Sequence, residues 1–532
     1  MGDLLKKILV QAFILIVLNY FITNHIYRVL QADELLYLHK SIFYNLYNYL
    51  SFSLVCLLLF PILLHKLRWK DIFDDNIIEL KYFFIFIILV YAWGILTLDY
   101  NLYFNQAYHF DRIFLLILLL LSFRFPISFL YFFILSLLFF NQVMYPTFGE
   151  ISFGVYINIK PINEVLILFM IFIVIKSFYK DFSILVLFIV VLCLHASNYY
   201  VPGWGKILIS DYGIDWIWVN DLSNLLIAKY AHGWLLEFIS LDSMLRIAQW
   251  VSLFNVPLQI FTFLMQIIAL FLFINRRFAL FLFILFELSH LGIFLLSGIL
   301  FWKWILLNLG IVYVIKKLNR QNIEKVFNYK TTLFALPFIL LGAGVFKTEK
   351  LAWYDTPLNN FNKVYVVTTT NQRYAIDANL FHLYKFAWYD GLLNSFNCFL
   401  DEPIRTAWDT LNQAETEALL KISYDKNITN IAKRVDIFEQ KYGENPFNLK
   451  KQENITIFLK RYVKNLNDYQ NKRIIWNYFS PPRHMYRSFY WDTPFYKKDK
   501  IKEIEIVFSK NFYSLYYNRV IFLKKKTVII KL

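Results

Sequence analysis

Long apolar runs with few charges recur over the first two thirds of the chain and then stop. A helix of about 20 apolar residues spans the hydrocarbon core of a bilayer. The pattern therefore predicts an α-helical polytopic membrane protein with about 9–11 membrane segments, in a membrane domain that covers residues 1–346. The runs lie near residues 8–23, 49–65, 81–98, 113–123, 125–145, 163–179, 183–200, 256–275, 278–297, 299–315 and 331–346.

Basic residues are distributed unevenly between the loops that join these runs. If the N-terminus is cytoplasmic, and if 113–123 and 125–145 are separate segments, the outer loops hold few of them. Positively charged residues concentrate in cytoplasmic loops. We therefore expect a multi-pass protein of the cell membrane with an extracytoplasmic region after residue 346. The basic residues of the predicted inner loops are Lys66, Arg68, Lys70, Arg124, Lys176, Lys180, Arg276, Arg277, Lys316, Lys317, Arg320 and Lys325.

The region 347–532 differs from the rest because charged residues return and apolar runs shorten. Alternating patterns predict strands, and longer periodic segments predict helices. We expect an extracytoplasmic α+β domain that is long enough for a core of its own. Its predicted elements are a β-hairpin over Val364–Thr370 and Tyr374–Ile376, helices over 404–424 and 428–442, and strands over Glu503–Phe508, Ser514–Leu523 and Thr527–Lys531.

The composition agrees with a membrane location. It also indicates which kind of partner the protein binds. The chain of 532 residues is 58% hydrophobic, which a soluble protein would not carry in such runs. Its formal net charge of +16 suits basic cytoplasmic loops, so the lipid bilayer is the expected partner and nucleic acid is not. Cys398 is the one cysteine of the C-terminal region, which excludes a disulfide framework or a cysteine zinc site there.

The segment from residue 201 to 255 is neither an apolar run nor a simple polar loop. Trp216, Trp218, Trp234 and Trp250 suit the membrane–water interface. Apolar residues also recur there at helical spacing. One or two helices that lie on the membrane surface are predicted, and a packed re-entrant loop is the alternative.

The stretch from His195 to Trp218 leads into this segment and carries a basic residue. Pro202, Gly203 and Gly205 predict that the helix breaks into a sharp turn. Lys206 would lie in that turn, next to apolar sequence. Ionisable residues at membrane depth are functional candidates, although a lysine near the end of a span also extends its ammonium to the headgroups.

Glu287 and His290 lie three residues apart inside an apolar run and therefore share a helix face. This spacing occurs in di-iron helices, but those sites need a second copy, which the spans lack, so no metal is expected. The pair either bonds helices together or serves a function. Motifs of zinc proteases, nucleotide-binding proteins and serine hydrolases are absent from the sequence.

The residues YYVPGWGKI at 199–207, followed by Trp216 and by GWL at 233–235, resemble the horizontally transferred transmembrane (HTTM) domain. That family relates bacterial proteins to the vitamin K-dependent gamma-carboxylase of animals. The segment FELSHLGIFLLSGILFWKW at 286–304 is similar to a later helix of the family. The resemblance covers roughly residues 80–320.

This resemblance implies a membrane bundle with a pocket for a reduced, vitamin K-like quinone, and a C-terminal domain that receives a peptide or protein substrate. In the animal enzyme a lysine at this place deprotonates vitamin K hydroquinone, the oxygenated quinone takes a proton from a glutamate side chain, and carbon dioxide adds. Lys206 occupies the matching position, with His290 and Glu287 implied to shape the pocket. The residues implied to contact the cofactor are Gly203, Trp204, Trp216 and His195.

Two functional hypotheses follow. The first is a quinol-dependent oxidoreductase or carboxylase-like enzyme in which Lys206 is the base and meets His290 and Glu287 inside the bundle. The second is a non-catalytic membrane protein, such as a binding, export or immunity factor. A transporter is disfavoured because the sequence shows no internal repeat and no pair of broken helices.

Overall fold

The computed structural model describes residues 2–29, 42, 52–73, 77–97, 109–144, 153–376, 399–400, 412–443, 449–469, 475–486 and 499–532. Up to residue 346 the described elements are helical, and short 3-10 turns join some of them. The helices are α1 (Gly2–Val29), α2 (Phe52–Leu59), α3 (Trp69–Ile72), α4 (Ile78–Leu96), α5 (His109–Ser122), α6 (Pro126–Met144), α7 (Phe153–Phe178), α8 (Ile184–Leu208), α9 (Trp216–Val219), α10 (Leu222–Ala231), α11 (Leu241–Leu253), α12 (Asn255–Ile268), α13 (Arg276–Ser297), α14 (Trp302–Lys317), α15 (Arg320–Val326), α16 (Tyr329–Leu340) and α17 (Gly342–Val345).

Several of these helices are long and apolar enough to cross a membrane, which confirms a multi-pass helical protein. Helices α11 and α12 form a further candidate that is bent by 63°, as in a broken span or a re-entrant loop. The finer count of 9–11 segments stays a prediction. Within the described ranges, the five candidate spans are Asp3–His25, Ile78–Leu96, Lys160–Phe178, Ile184–Leu208 and Arg276–Ser297.

Helix α8 is the central helix of the bundle. Its side chains are buried from Ile184 to Gly203, and it packs against α1, α7, α12, α15, α16 and α17. Ser183 caps its first turn, because the hydroxyl accepts a hydrogen bond from the backbone N–H of Leu185. Side chains on α8 can therefore contact several other helices of the bundle.

The predicted break at Pro202 is wrong, because α8 continues through that residue to Leu208. Proline lacks the N–H that would bond the carbonyl of Asn198 and thereby weakens the helix at this point. Neighbouring helices make such a proline tolerable in membrane helices. Pro202 and its neighbours Val201 and Gly203 are buried here, so packing outweighs the local preference of proline.

The two glycines after Pro202 allow close packing of α8 and do not form a turn. A Cβ at Gly203 would lie 2.9 Å from the Cβ of Gln266 on α12. A Cβ at Gly205 would lie 3.0 Å from the Cβ of Ala352. Both distances are shorter than ordinary van der Waals contact, so larger residues would push these neighbours away from α8.

The two ends of the bundle differ in charge. At one end, Lys7 lies 3.6 Å from Asp181, and the guanidinium of Arg276 donates to the carbonyl of Lys316 at 2.8 Å. Helices α1, α8 and α13 begin at this end, whereas α7 and α14 finish there. The chain leaves the opposite end after Phe346 to enter the C-terminal region. Lys7, Arg276 and Lys316 thus lie at the end away from that region.

The C-terminal region has the predicted α+β character. Its strands form an antiparallel sheet in the order β2-β1-β3-β4, and the predicted hairpin is confirmed, with Asn371 in the left-handed region at φ 63°. Residues 404–411 of one predicted helix lie outside the described part. The elements are β1 (Leu358–Thr368), β2 (Arg373–Ala375), α18 (Gln413–Ser423), α19 (Ile428–Tyr442), α20 (Leu449–Tyr469), β3 (Ile501–Ser514) and β4 (Arg519–Lys531).

The predicted strand Ser514–Leu523 is wrong, because a turn divides it between β3 and β4. Asn518 has a φ of 44°, a conformation that asparagine tolerates in turns. The aromatic residues Tyr516 and Tyr517 beside it are favoured in strands. Their presence is why the sequence pattern predicts a strand and not a turn. Strand β4 forms one edge of the sheet, and Lys524, Lys525 and Lys526 on it are exposed.

The sheet and the helical bundle share hydrophobic contacts. Val364 and Val366 of β1 belong to the same buried cluster as the core of the spans. Tyr513 of β3 packs with Met244 of α11. The C-terminal region therefore packs onto the end of the bundle at which α8 finishes.

Candidate functional site

Helix α8 carries two polar sites along one face. His195, Tyr199 and Lys206 are spaced by four and seven residues, which places them on the same stripe of a helix. Seven residues correspond to about 10 Å along the helix axis. We call the first site, formed by His195, Tyr199, Glu287, His290 and Asn308, the Asn308 cluster. The second is the Lys206 site.

Asn308 of α14 is the centre of the first cluster. Its Oδ1 accepts a hydrogen bond from Nε2 of His195 at 2.5 Å. Its Nδ2 donates to the hydroxyl of Tyr199 at 3.0 Å and to Oε1 of Glu287 at 2.5 Å. One buried amide thus links α8, α13 and α14. Sequence analysis missed Asn308 and Tyr199, although Asn308 is a polar residue inside an apolar run, which is itself a signal.

His290 and Glu287 form the local pair that their spacing indicates. Nδ1 of His290 lies 3.6 Å from Oε2 of Glu287, and its Nε2 lies 3.4 Å from the hydroxyl of Tyr199. The imidazole is buried, whereas the Glu287 side chain is 31% exposed. Glu287 is therefore the place where the Asn308 cluster reaches the surface of the bundle.

One imidazole nitrogen of the Asn308 cluster stays open to a ligand. When Nε2 of His195 donates to Asn308, its Nδ1 is an acceptor in the neutral ring. This Nδ1 is buried and has no hydrogen-bond partner among the described residues, whereas Nδ1 of His290 faces Oε2 of Glu287. An unpaired buried polar atom is unfavourable. Nδ1 of His195 would be satisfied by a ligand that carries a hydroxyl group.

Aromatic rings enclose the cluster and keep water away from it. Tyr199 stacks on Phe286 with ring centroids 3.6 Å apart, and His195 stacks on Phe283 at 5.6 Å. Trp304 lies edge-on to Tyr199 at 5.6 Å. Electrostatic and hydrogen-bonding interactions are stronger in such a low-dielectric environment.

Lys206 is buried near the end of α8, with an exposed fraction of 6%. Its Nζ donates to the carbonyl of Leu351 at 3.3 Å and lies 3.5 Å from that of Pro202. The same nitrogen is 4.8 Å from the centre of the Trp216 ring. No carboxylate within the described ranges forms an ion pair with it. Lys206 therefore faces the protein interior, and its contacts do not support extension to the headgroups.

Asp355 is the acidic group whose charge acts on Lys206 from a greater distance. Its carboxylate accepts hydrogen bonds from Nδ2 of Asn220 at 3.1 Å and from Nε1 of Trp353 at 3.3 Å. Burial raises the pKa of Asp355 to about 7, and the hydrogen bond from Asn220 and the charge of Lys229 oppose this shift. The carboxyl group next to the Lys206 site can thus titrate near neutral pH.

The residues that the resemblance implies to contact the cofactor differ in whether they also contact Lys206. Trp216 covers the amine, and its Nε1 donates to the carbonyl of Trp353 at 2.8 Å. Gly203 packs against Gln266, which leaves little space for a cofactor beside it. Trp204 is 41% exposed and lies on the outside of the bundle. Of these three residues, only Trp216 contacts Lys206.

Lys206 does not meet Glu287 and His290 directly. Among the residues that the structure describes, no hydrogen bond or ion pair joins Lys206 to either side chain. The expected convergence is therefore replaced by two sites on one stripe of α8. His195, which belongs to the Asn308 cluster, lies mid-helix because α8 extends beyond the apolar run.

Comparisons with known proteins identified no relative of this chain. No family model matches the chain, and neither the curated proteins nor the solved structures gave a significant match. The resemblance to the HTTM family, based on residues 199–207, Trp216, GWL at 233–235 and residues 286–304, therefore stays a prediction from the sequence.

Proposed function

We propose that the protein is a membrane-embedded, vitamin K-dependent gamma-carboxylase-like (HTTM) enzyme that uses a reduced quinone, with Lys206 as the base. The observation that carries this proposal is the environment of Lys206. A buried amine is held by two carbonyl oxygens and an aromatic face, and no carboxylate of the described residues forms an ion pair with it. Such an amine is suited to accept a proton from a hydroxyl group.

The Asn308 cluster supports the same proposal as a second set of contacts. Nδ1 of His195 can accept a hydrogen bond from a hydroxyl group, and the Glu287 side chain is partly exposed at the surface of the bundle. A lipid-soluble molecule that enters at Glu287 and lies along α8 would need to extend about 10 Å to reach Lys206. A quinone with a hydrocarbon tail has that shape, and when bound it would supply the redox chemistry.

Turnover by the purified protein in mild detergent tests this function. Vitamin K hydroquinone, oxygen, labelled carbon dioxide and a glutamate-containing peptide would be supplied, and oxygen uptake and label incorporation measured. Lys206→Met keeps the apolar stem and should abolish both signals. Lys206→Arg should abolish them too, because a guanidinium does not accept a proton at working pH.

Lys303→Met is the matched control. Lys303 is also a buried lysine beside an aromatic ring, with Nζ 5.0 Å from the centre of the Trp302 ring. We place it outside the site, so its loss should leave turnover measurable. Full activity of Lys206→Arg would remove the role of Lys206 as base.

A second candidate is a non-catalytic membrane binding, export or immunity factor. The hydrogen bonds of Asn308 favour it, because one polar side chain that joins three helices is a common means of helix association. Mass spectrometry of lipids and quinones that co-purify with the wild-type protein separates the two candidates. A preparation without bound quinone and without turnover would favour the non-catalytic factor.

A further inference from the structure

A small cavity lies on a different side of α8 from the Asn308 cluster. It is largely enclosed, and the space open to the centres of water molecules is about 10 Å³. This is close to the least space that one water molecule needs. The cavity lies between α1, α7, α8 and the chain that leaves α17, and it is lined by Asn19, Tyr20, Thr23, Asn24, Glu164, Leu194, Val345, Phe346 and Lys347.

Glu164 presents a buried carboxyl group to this cavity. The residue is 6% exposed. Its Oε1 lies 3.8 Å from Nζ of Lys160, whereas its buried Oε2 makes no hydrogen bond of good geometry among the described residues, although the side-chain amide of Asn198 on α8 lies beside the carboxyl group. A buried carboxylate oxygen without a partner is strongly unfavourable. A proton on Glu164, or a water molecule beside it, would remove this penalty.

Lys160 is the cation that lies next to Glu164. Nζ of Lys160 also donates to Oε1 of Glu349 at 3.2 Å and to the carbonyl of Lys347. One ammonium is therefore shared between two carboxylates. The other titratable groups near Glu164 are Lys347, whose ammonium lies 5.3 Å from the ring centre of Tyr20, and Tyr20 itself. Helix α8 contributes Leu194 to the cavity wall, which does not titrate.

We propose that Glu164 is a proton-exchange site served by one water molecule in this cavity. The carboxylate gains a proton from water that enters beside Lys347 and returns it to that water, so no other reactant is needed. Lys347 lines the cavity and follows the point where the chain leaves the bundle for the C-terminal region. This inference does not depend on quinone chemistry and is tested without a quinone.

Labelling of the full-length protein by dicyclohexylcarbodiimide tests the proposal, because this reagent adds to protonated carboxyl groups in apolar surroundings. Mass spectrometry would quantify the adduct on the peptide that contains Glu164 over a series of pH values. Labelling should occur at low pH and fall by about tenfold per pH unit above its midpoint, as for a single carboxyl group. Labelling that is absent at every pH, or independent of pH, would overturn the proposal.

Two variants of Thr23 test whether the cavity is the route. Thr23→Leu fills the space with an apolar side chain and should reduce labelling of Glu164 at least severalfold. Thr23→Val keeps the volume of threonine and should retain labelling. Comparison of the two variants therefore distinguishes a filled cavity from a disrupted fold. Adduct formation at Glu287 provides an internal reference. Equal labelling of Glu164 in both variants would show that the cavity does not supply the proton.

Discussion

At the scale of single residues, one amide holds the polar groups of the Asn308 cluster together. Asn308→Ala would leave His195, Tyr199 and Glu287 without their shared partner. Each such loss costs about 1–3 kcal/mol in a protein interior, and interhelical hydrogen bonds in membranes average about 0.6 kcal/mol. We expect the free energy of unfolding to fall by about 1–3 kcal/mol, as measured by denaturant unfolding in detergent micelles.

Asn24→Ala is the control for this experiment. The Asn24 amide makes an exposed bond to the carbonyl of Tyr20 within its own helix. Its removal should change the free energy of unfolding by less than about 0.5 kcal/mol. If Asn308→Ala were equally mild, the Asn308 cluster would not hold the helices together.

Asp355 should make stability depend on pH. Burial raises its pKa from 3.8 to about 7, so between these values the folded protein keeps a proton that the unfolded chain has released. Stability should therefore fall as the pH rises from about 4 to about 7, and should change little above that. Asp355→Asn should flatten this dependence of the melting temperature, whereas Asp242→Asn, at an exposed position, should retain it. A slope that is identical in both variants would exclude Asp355 as its source.

At this scale the sequence identified candidate site residues but not the residues that they contact in the fold. The contact between Glu287 and His290 follows from their spacing on one helix. The bonds to Asn308 depend on how α13 and α14 pack against α8, which no local pattern records. The same holds for Lys206, whose partner Leu351 lies 145 residues further along the chain.

At the scale of elements, a glycine marks where the short helix α17 contacts the central helix α8. A Cβ at Gly342 of α17 would lie 1.6 Å from Oγ and 2.7 Å from Cβ of Ser197 on α8. Gly342→Ala should therefore separate the two helices and lower the free energy of unfolding by about 1–3 kcal/mol. Denaturant unfolding in detergent measures this.

Gly344→Ala is the matched control, because a Cβ at Gly344 meets no atom within 4 Å. Alanine favours helices over glycine by up to about 1 kcal/mol, so this variant should be as stable as the wild type or slightly more stable. Loss of stability in Gly344→Ala that matches Gly342→Ala would point to the backbone and not to the contact with Ser197.

Helix α8 shows why element boundaries escape sequence reasoning. Pro202 and its glycine neighbours predict a turn because local preferences are all that a sequence window contains. In the structure those glycines let α12 and the segment around Ala352 approach closely. Tertiary packing therefore decides where α8 ends. The hairpin at Asn371 was predictable because its turn is determined locally.

At the scale of the whole molecule, charge predicts the orientation in the membrane. The basic residues at the starts of α1 and α13 and at the ends of α7 and α14 share one end of the bundle. That end should be cytoplasmic. Alkaline phosphatase fused after Leu532 should be active, because it folds only outside the cytoplasm, and a fusion at Asn328 should be inactive. The reverse pattern would invert the predicted topology.

The division into a membrane domain and a separate C-terminal domain was a prediction from composition alone. Composition changes near residue 347 because the chain leaves the bundle there. It does not show that Val366 of β1 shares a buried cluster with the spans, or that Tyr513 packs on Met244. Contacts between distant segments decide this, and they are not visible in local composition.

The open edge of β4 has a consequence for self-association. Within the described residues this strand pairs with β3 alone, and Phe522 and Ile529 on it are exposed. A free edge of this length can pair with the same edge of a second copy. The run Lys524–Lys526 would then face like charges, so repulsion keeps copies apart. At about 1 M salt the screening length falls to about 3 Å, and the detergent-solubilised protein should begin to associate through this strand.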